Sequence, residues 1–313
     1  MMKICFMGSM DFAVPILEGL HEKYGVNLVV TQPDKPVGRK QVLGGTPVKN
    51  KALELGIKLF QPISIKRDYT RIIKSDFDFI IVAAYGQKIP ENILYHAKYQ
   101  AINVHASLLP KYRGGSPMHK AIIDGETETG VTIMYMEKAL DSGYILSQIS
   151  CSINENDNVK TLEKKLSILG KELLLETLEK LLANEITPLP QDESLVTYAY
   201  NFKKNDLLIN FNRSAKTIHN QIRGMNPWPI AEIYLDGKKI KIYETSYSDF
   251  SLSNTPGEVV KVDKDGVHIQ TSSGILTLKT LQLEGKKQMD INSFMNGIGK
   301  TLFFVGQIIK TSL

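Results

Sequence analysis

Apolar residues in the first half of the chain gather in short, nearly uninterrupted runs set between stretches of helical spacing. Lys3–Gly8, Val26–Thr31, Lys58–Gln61, Phe77–Ala84, Ala101–Ala106 and Gly130–Met136 read as strands. Phe12–Tyr24 and a stretch around Val48–Leu55 space their apolar residues as helices do. Strands that are apolar on both faces and alternate with helices predict a mostly parallel sheet covered on two sides. Within residues 161–182, Leu162, Leu166, Leu169, Leu173 and Leu174 share one stripe while Lys164, Lys165, Lys171 and Glu172 lie elsewhere, a helix that closes this domain.

The pattern changes at Thr187-Pro188-Leu189-Pro190, and the polar stretch from there to about Lys204 reads as a linker. Beyond it Ser214–Met225 has helical spacing. Then come short β-rich runs: Ala231–Leu235, Lys239–Thr245, Gly257–Val262, Val267–Thr271 and Ile275–Leu283, with Asp236-Gly237 and Asp265-Gly266 as turns. Short strands in this succession predict a small β-barrel. The predicted division is an α/β domain over residues 1–185, a linker over 186–205 and a β domain over 206–313.

The composition supports a folded chain. Of 313 residues, 42% are hydrophobic and 23% charged, which excludes disorder, collagen and coiled coil as descriptions of the whole. No run approaches the ~18 apolar residues of a membrane-spanning helix. The N-terminus lacks a basic region followed by a cleavable apolar segment, so the protein is expected to stay in the compartment where it is made. Cys5 and Cys151 both sit in strand-like apolar runs and are expected to be buried structural thiols. Net charge is +5, and residues 206–313 hold 13 basic against 10 acidic side chains. This surplus permits an anionic partner without requiring one.

Ligands of such sheets bind beyond the carboxyl ends of the strands. That rule points to Gly8–Phe12, Thr31–Pro47, Tyr85–Pro90, Val104–Gly115 and Ala139–Gly143. In Asn103-Val104-His105 the amide and the imidazole share a strand face, and Asp141 follows in Ala139-Leu140-Asp141-Ser142-Gly143. An amide donor, a histidine and an aspartate suit acyl transfer to an amine. The imidazole handles protons, Asp141 fixes its tautomer, and Asn103 donates to the developing oxyanion. Spacing alone favours a satisfied polar cluster over a catalytic one. With no serine or cysteine nucleophile signature, direct transfer is favoured over an acyl-enzyme. The Gly8–Phe12 turn reads as a structural turn or as an anion seat at a helix N-terminus; it lacks G-x-G-x-x-G, and no phosphate-binding loop occurs. The histidines have no partners at ligand spacing, so no metal is expected. The basic loop Pro33–Pro47 reads as a solvated loop or as a clamp on a phosphate backbone.

Taken together, these segments resemble the methionyl-tRNA formyltransferase family over nearly the whole chain. The resemblance rests on Phe6-Met7-Gly8, Gln32-Pro33-Asp34-Lys35-Pro36, Ala84-Tyr85-Gly86, Asn103-Val104-His105-Ala106-Ser107-Leu108-Leu109-Pro110, Ala139–Gly143 and Ile222-Arg223-Gly224-Met225-Asn226-Pro227-Trp228-Pro229. It implies a Rossmann-like domain followed by an OB-like barrel that helps hold tRNA. It further implies transfer of a formyl group from 10-formyltetrahydrofolate to methionyl initiator tRNA through a tetrahedral intermediate, by a cytoplasmic monomer with no metal. On this resemblance Asn103, His105 and Asp141 are catalytic, while Ser107, Leu108, Leu109, Pro110, Tyr85 and Gly86 contact the folate. Arg39 and Lys40 reach the tRNA. The chain departs from the family pattern in Gln41–Gly45, where further basic residues are usual, in Ser9-Met10-Asp11 and in Lys111-Tyr112. Two other readings use the same residues: a formyltransferase acting on an amino sugar nucleotide, and an inactive RNA-binding relative.

Overall fold

A computed structural model of the chain describes residues 2–37 and 42–310. The first strands are β1 (Ile4–Gly8), β2 (Leu28–Val30), a hairpin of β3 (Lys35–Val37) and β4 (Val42–Gly44), β5 (Leu59–Phe60), β6 (Phe79–Ala83), β7 (Ala101–His105), β8 (Glu128–Tyr135) and β9 (Ile145–Ser152). Seven of them form one sheet in the order β5-β2-β1-β6-β7-β8-β9. The pairs from β5 to β7 are parallel, whereas β8 runs antiparallel to both β7 and β9. Every residue of β1, β6 and β7 is buried, which is why their sequences read as unbroken apolar runs. β9 is a half-exposed edge strand in which Ser147, Gln148, Ser150 and Ser152 interrupt the apolar run expected around Cys151. Cys5 is fully buried, and burial pushes its thiol upward; Cys151, on β9, is only half-buried.

The two faces of this sheet are covered differently. On one, Cys5, Met7, Val30, Ile80, Val82 and Ala101 pack with Ile65, Ile72, Ile89 and Ile93. On the other, Val104 meets Gly170 of the helix Val159–Leu182, where a Cβ would stand 3.0 Å from Val104 Cγ1. Leu166, Leu174 and Leu178 of that helix are fully buried. At about 1.5–3 kcal/mol for each buried leucine, this stripe is a main anchor of the layer.

The compact units do not follow the boundaries drawn at residues 185 and 205. The first takes the residues up to Pro117, Glu128–Ser152 and Glu163–Tyr200; the second takes Met118–Thr127, Ile153–Leu162 and the residues from Asn201 on. Most of the expected linker therefore belongs to the first unit.

The second unit holds β10 (Ala231–Leu235), β11 (Lys238–Ser248), β12 (Val259–Asp263), β13 (Gly266–Gln270), β14 (Ile275–Leu283) and β15 (Met289–Asp290). They pair antiparallel in the order β10-β11-β14-β13-β12, with β15 on β14. Asp236 and Gly237 have φ of 49° and 73°, the two positive values that a tight two-residue hairpin demands between β10 and β11. Ile240, Ile242, Ile269, Leu276 and Leu278 form the core with Ile218 and Ile222. The last two lie on the helix Ala215–Gly224, which starts where the Ser214 side chain accepts from Thr217 N at 3.2 Å. Among the described residues no helix is long and apolar enough to cross a membrane.

Candidate active site

Alternation along β7 puts Ala101, Asn103 and His105 on the face opposite Val104. Asn103 is 8% exposed and His105 6% exposed, so both are polar groups in an apolar layer. His105 Nε2 lies 3.0 Å from the Tyr112 carbonyl oxygen. A carbonyl only accepts, so Nε2 carries the hydrogen and the neutral ring presents Nδ1 as its basic nitrogen. Asp141 Oδ2 stands 3.8 Å from that Nδ1 and accepts from Gly114 N at 2.8 Å. The tautomer is therefore held by Tyr112, not by Asp141 as expected from the sequence. Asp141 instead faces the nitrogen that takes up a proton. The Asn103 amide makes no hydrogen bond to any described residue, and Nδ1 of His105 makes none either. Buried polar groups are normally paired. Here the two share a strand face, and Nδ1 of His105 lies 3.8 Å from a carboxylate.

The carboxyl-end rule pointed to Ala139–Gly143 as the end of a parallel strand, but Asp141 reaches this place from an antiparallel one. Because β8 is antiparallel to β7, its carboxyl end at Tyr135 pairs with Ile102, while His105 pairs with Thr132. The connection between β8 and β9 must run back along the strand to bring Asp141 to His105. It turns through Asp141 at φ 47° and through Gly143, where any Cβ would collide with the Tyr135 carbonyl oxygen.

The loop leaving β7 is pinned by residues that sequence reasoning passed over. Thr132 Oγ1 donates to Ser107 O at 2.7 Å and accepts from Leu109 N at 3.1 Å. Gln148 Nε2 donates to Leu109 O at 2.7 Å and to Thr132 Oγ1 at 2.8 Å. Thr132 is a fully buried hydroxyl inside an apolar strand, and that mismatch was the available signal. Ser107 is fully buried with its hydroxyl donating to Lys111 O, whereas Leu108 and Pro110 are half-exposed along the loop.

The formyl transferase family profile matches residues 2–178, and that of the formyl transferase C-terminal domain matches residues 201–299. The chain belongs to the formyl transferase family. A methionyl-tRNA formyltransferase of Macrococcus caseolyticus is 48% identical over 299 residues, covering 95% of this chain and 96% of the relative. Those of Listeria innocua and Staphylococcus aureus are 48% and 44% identical over 305 residues, covering 96% of this chain and 97% and 98% of the relatives. Among solved structures, an N-formyltransferase of Helicobacter canadensis in complex with folinic acid and dTDP-3-aminofucose superposes with a TM-score of 0.67. It is 21% identical and covers 89% of this chain and 99% of its own. HypX of Aquifex aeolicus in complex with tetrahydrofolic acid gives 0.64 at 16% identity, over 99% of this chain and 51% of its own. At such identities the structural likeness establishes the fold.

The remaining residues of the family resemblance fall in several places. Tyr85 and Gly86 follow β6 in a turn with φ of 43° at Ala84 and 86° at Gly86. This turn sends the Tyr85 ring into the apolar layer, 2% exposed, with a hydroxyl that has no partner among the described residues. What Tyr85 offers at the carboxyl end is its carbonyl, which accepts from Ser9 Oγ at 2.9 Å and from Gln32 Nε2 at 3.0 Å. The anion seat considered at Gly8–Phe12 is filled from within. Glu163 accepts from Phe12 N, and burial pushes its carboxyl above the usual range. Arg39 and Lys40 lie outside the described residues. In the second unit Arg223 is a staple: its Nη1 donates to the carbonyls of Asn154 and Asp157 at 3.1 and 2.9 Å. Trp228, by contrast, is 65% exposed. A cavity of about 420 Å³ opens at the opposite, amino-terminal ends of the strands among Lys3, Asn27, Lys58 and Arg71, and Asn103, His105 and Asp141 are not among the residues that line it.

Proposed function

We propose that this chain transfers the formyl group of 10-formyltetrahydrofolate to the α-amino group of methionyl initiator tRNA, acting as a cytoplasmic monomer. The observation that carries the reading is identity of 48% with a protein named for that reaction, continuous through both family domains. Methionyl-tRNA formyltransferases are the relatives at this identity, while the amino-sugar enzyme shares the fold at 21%.

The open groups fit a formyl donor. A formyl oxygen needs a hydrogen-bond donor when it gains charge, and the unpartnered, nearly buried Asn103 amide is one. The bound folate supplies the electrophilic formyl carbon, held by the Ser107–Pro110 loop and by the turn at Tyr85 and Gly86. His105 takes the proton of the attacking amine at Nδ1, the nitrogen left bare by the Tyr112 contact. Asp141 stabilises the imidazolium across 3.8 Å. The imidazolium then returns the proton to the departing nitrogen. Arg39 and Lys40 contact the tRNA, and Lys239 and Lys241, which line a shallow hollow of about 200 Å³, extend a basic face over the β unit.

The test is formyl transfer to methionyl initiator tRNA, with methionyl elongator tRNA and an amino sugar nucleotide as parallel acceptors. Initiator-selective transfer is expected. Transfer to the sugar alone would overturn the acceptor but keep the chemistry. Arg39→Ala should slow the reaction at subsaturating tRNA, and an unchanged rate would remove Arg39 from the tRNA contact.

A further inference from the structure

The Pro-rich stretch after the helix Val159–Leu182 behaves as a strap on the catalytic unit. Leu189 exchanges two backbone hydrogen bonds with Ile145 at 2.8 and 2.9 Å. Tyr112 N donates to Thr197 Oγ1 at 2.9 Å, Arg113 N to Thr197 O at 2.9 Å, Ala199 N to Arg113 O at 2.8 Å, and Ser116 N to Ala199 O at 3.0 Å. The strap thus pairs along the same loop whose Tyr112 carbonyl holds the His105 tautomer.

Gln191 occupies the centre of this arrangement. Its Nε2 donates to the carbonyl oxygens of Asp141 and Gly143 at 2.8 and 2.9 Å. Its Oε1 accepts from Arg113 Nε at 3.0 Å and Nη2 at 2.8 Å. Arg113 is 3% exposed and also pairs with Glu193, whose carboxyl it holds below the usual range. Both hydrogens and both lone pairs of one amide are used. The donors grip the loop that carries Asp141. The acceptor grips Arg113, and the next residue, Gly114, supplies the backbone N–H that binds Asp141 Oδ2. One side chain therefore clamps both ends of the contact that aims Asp141 at His105.

We infer that Gln191 is a positioning residue for formyl transfer, holding Asp141 in its left-handed conformation with Oδ2 facing His105 Nδ1. The inference deepens the proposed function and rests on its assignment of Asp141. A residue acting this way lowers turnover without weakening substrate binding, and acts only through Asp141.

Gln191→Glu is the discriminating variant. A carboxylate still accepts from Arg113, but its oxygens cannot donate to the Asp141 and Gly143 carbonyls. The expected result is a kcat loss of about 10- to 100-fold, with KM for methionyl-tRNA and for the folate unchanged within about twofold. In an Asp141→Asn background the same substitution should cost less than about threefold, because two residues acting as one unit are not additive. Equal losses in both backgrounds would overturn the inference, as would a rise in KM that matches the fall in kcat, or an unchanged kcat. If Gln191→Glu yields no folded protein, Gln191→Met, which loses the donors without adding charge, is read in the same cycle. If the wild type formylates an amino sugar nucleotide instead of tRNA, the acceptor reading falls, and the cycle run on that acceptor still decides the role of Gln191.

Discussion

Replacing Asp141 by Asn isolates charge from shape at the site. The amide oxygen of Asn can still accept from Gly114 N, now 2.8 Å from Oδ2, so the loop keeps its main side-chain anchor. What disappears is a negative charge 3.8 Å from His105 Nδ1. At an effective dielectric of about 20, a unit pair at this separation is worth about 4 kcal/mol. The Asp141 side chain is 13% exposed, so solvent screens part of that value. An expected loss of about 2–4 kcal/mol in stabilising the imidazolium corresponds to a fall in kcat of about 30- to 1000-fold. In the proposed mechanism the imidazolium forms only during transfer, so the charge matters little to substrate binding, and KM for methionyl-tRNA should stay within about twofold. Initial rates of formyl-methionyl-tRNA formation, with saturating folate and varied tRNA, measure both constants. A folded Asp141→Asn protein with kcat lowered less than about fivefold would refute the assignment of the carboxylate to the imidazolium.

Gly143→Ala places a Cβ against the Tyr135 carbonyl oxygen, backbone against backbone, so the Asp141 loop must shift. A displacement near 1 Å should lower kcat by about tenfold or more, and wild-type turnover would show that the loop position is not critical. Tyr85→Phe removes a buried, unpartnered hydroxyl that faces the apolar layer. It should leave formyl transfer intact and stabilise the protein by about 1 kcal/mol, read as a rise in Tm; a loss of folate binding would instead place the ring in the site. His219 is pushed down to about 4, first by burial and then by Arg223, with Glu155 and the Thr245 contact opposing. The unfolded chain then binds the extra proton between about pH 6.5 and 4. Stability is therefore full above the unfolded value and falls as pH drops through this window, by up to about 3 kcal/mol. Thermal melts of His219→Gln should lose that part of the acid sensitivity, and an unchanged pH dependence would contradict it.

The elements legible in the sequence were those whose signal is local. β1, β6 and β7 are buried on both faces and announce themselves as apolar runs, and the Asp236-Gly237 turn needs only its two residues. Asn103 and His105 were legible for the same reason: two polar side chains two apart in a buried strand must share a face. Asp141 was legible because its segment follows a strand-like run, but the carboxyl-end rule that pointed to it assumes a parallel strand, and β8 is antiparallel. The direction of the Tyr85 ring depends on a positive φ at Ala84, and alanine carries no mark of a left-handed conformation as glycine does. The contacts that set the site were the least legible. Gln191 meets Arg113 across 78 residues and Asp141 across 50. Hydrogen bonds at such separations leave neither periodicity nor composition behind. A glutamine between prolines and acidic residues looks solvated in the sequence, and only the fold reveals that its whole amide is spent. The same holds for the unit boundary. The helix Pro117–Ile123 belongs from Met118 on to the second unit, where Ile123 packs against Gly224. The chemistry proposed for this chain is thus written locally in Asn103 and His105, while the polar pairs that hold Asp141 are ones that only tertiary structure brings together.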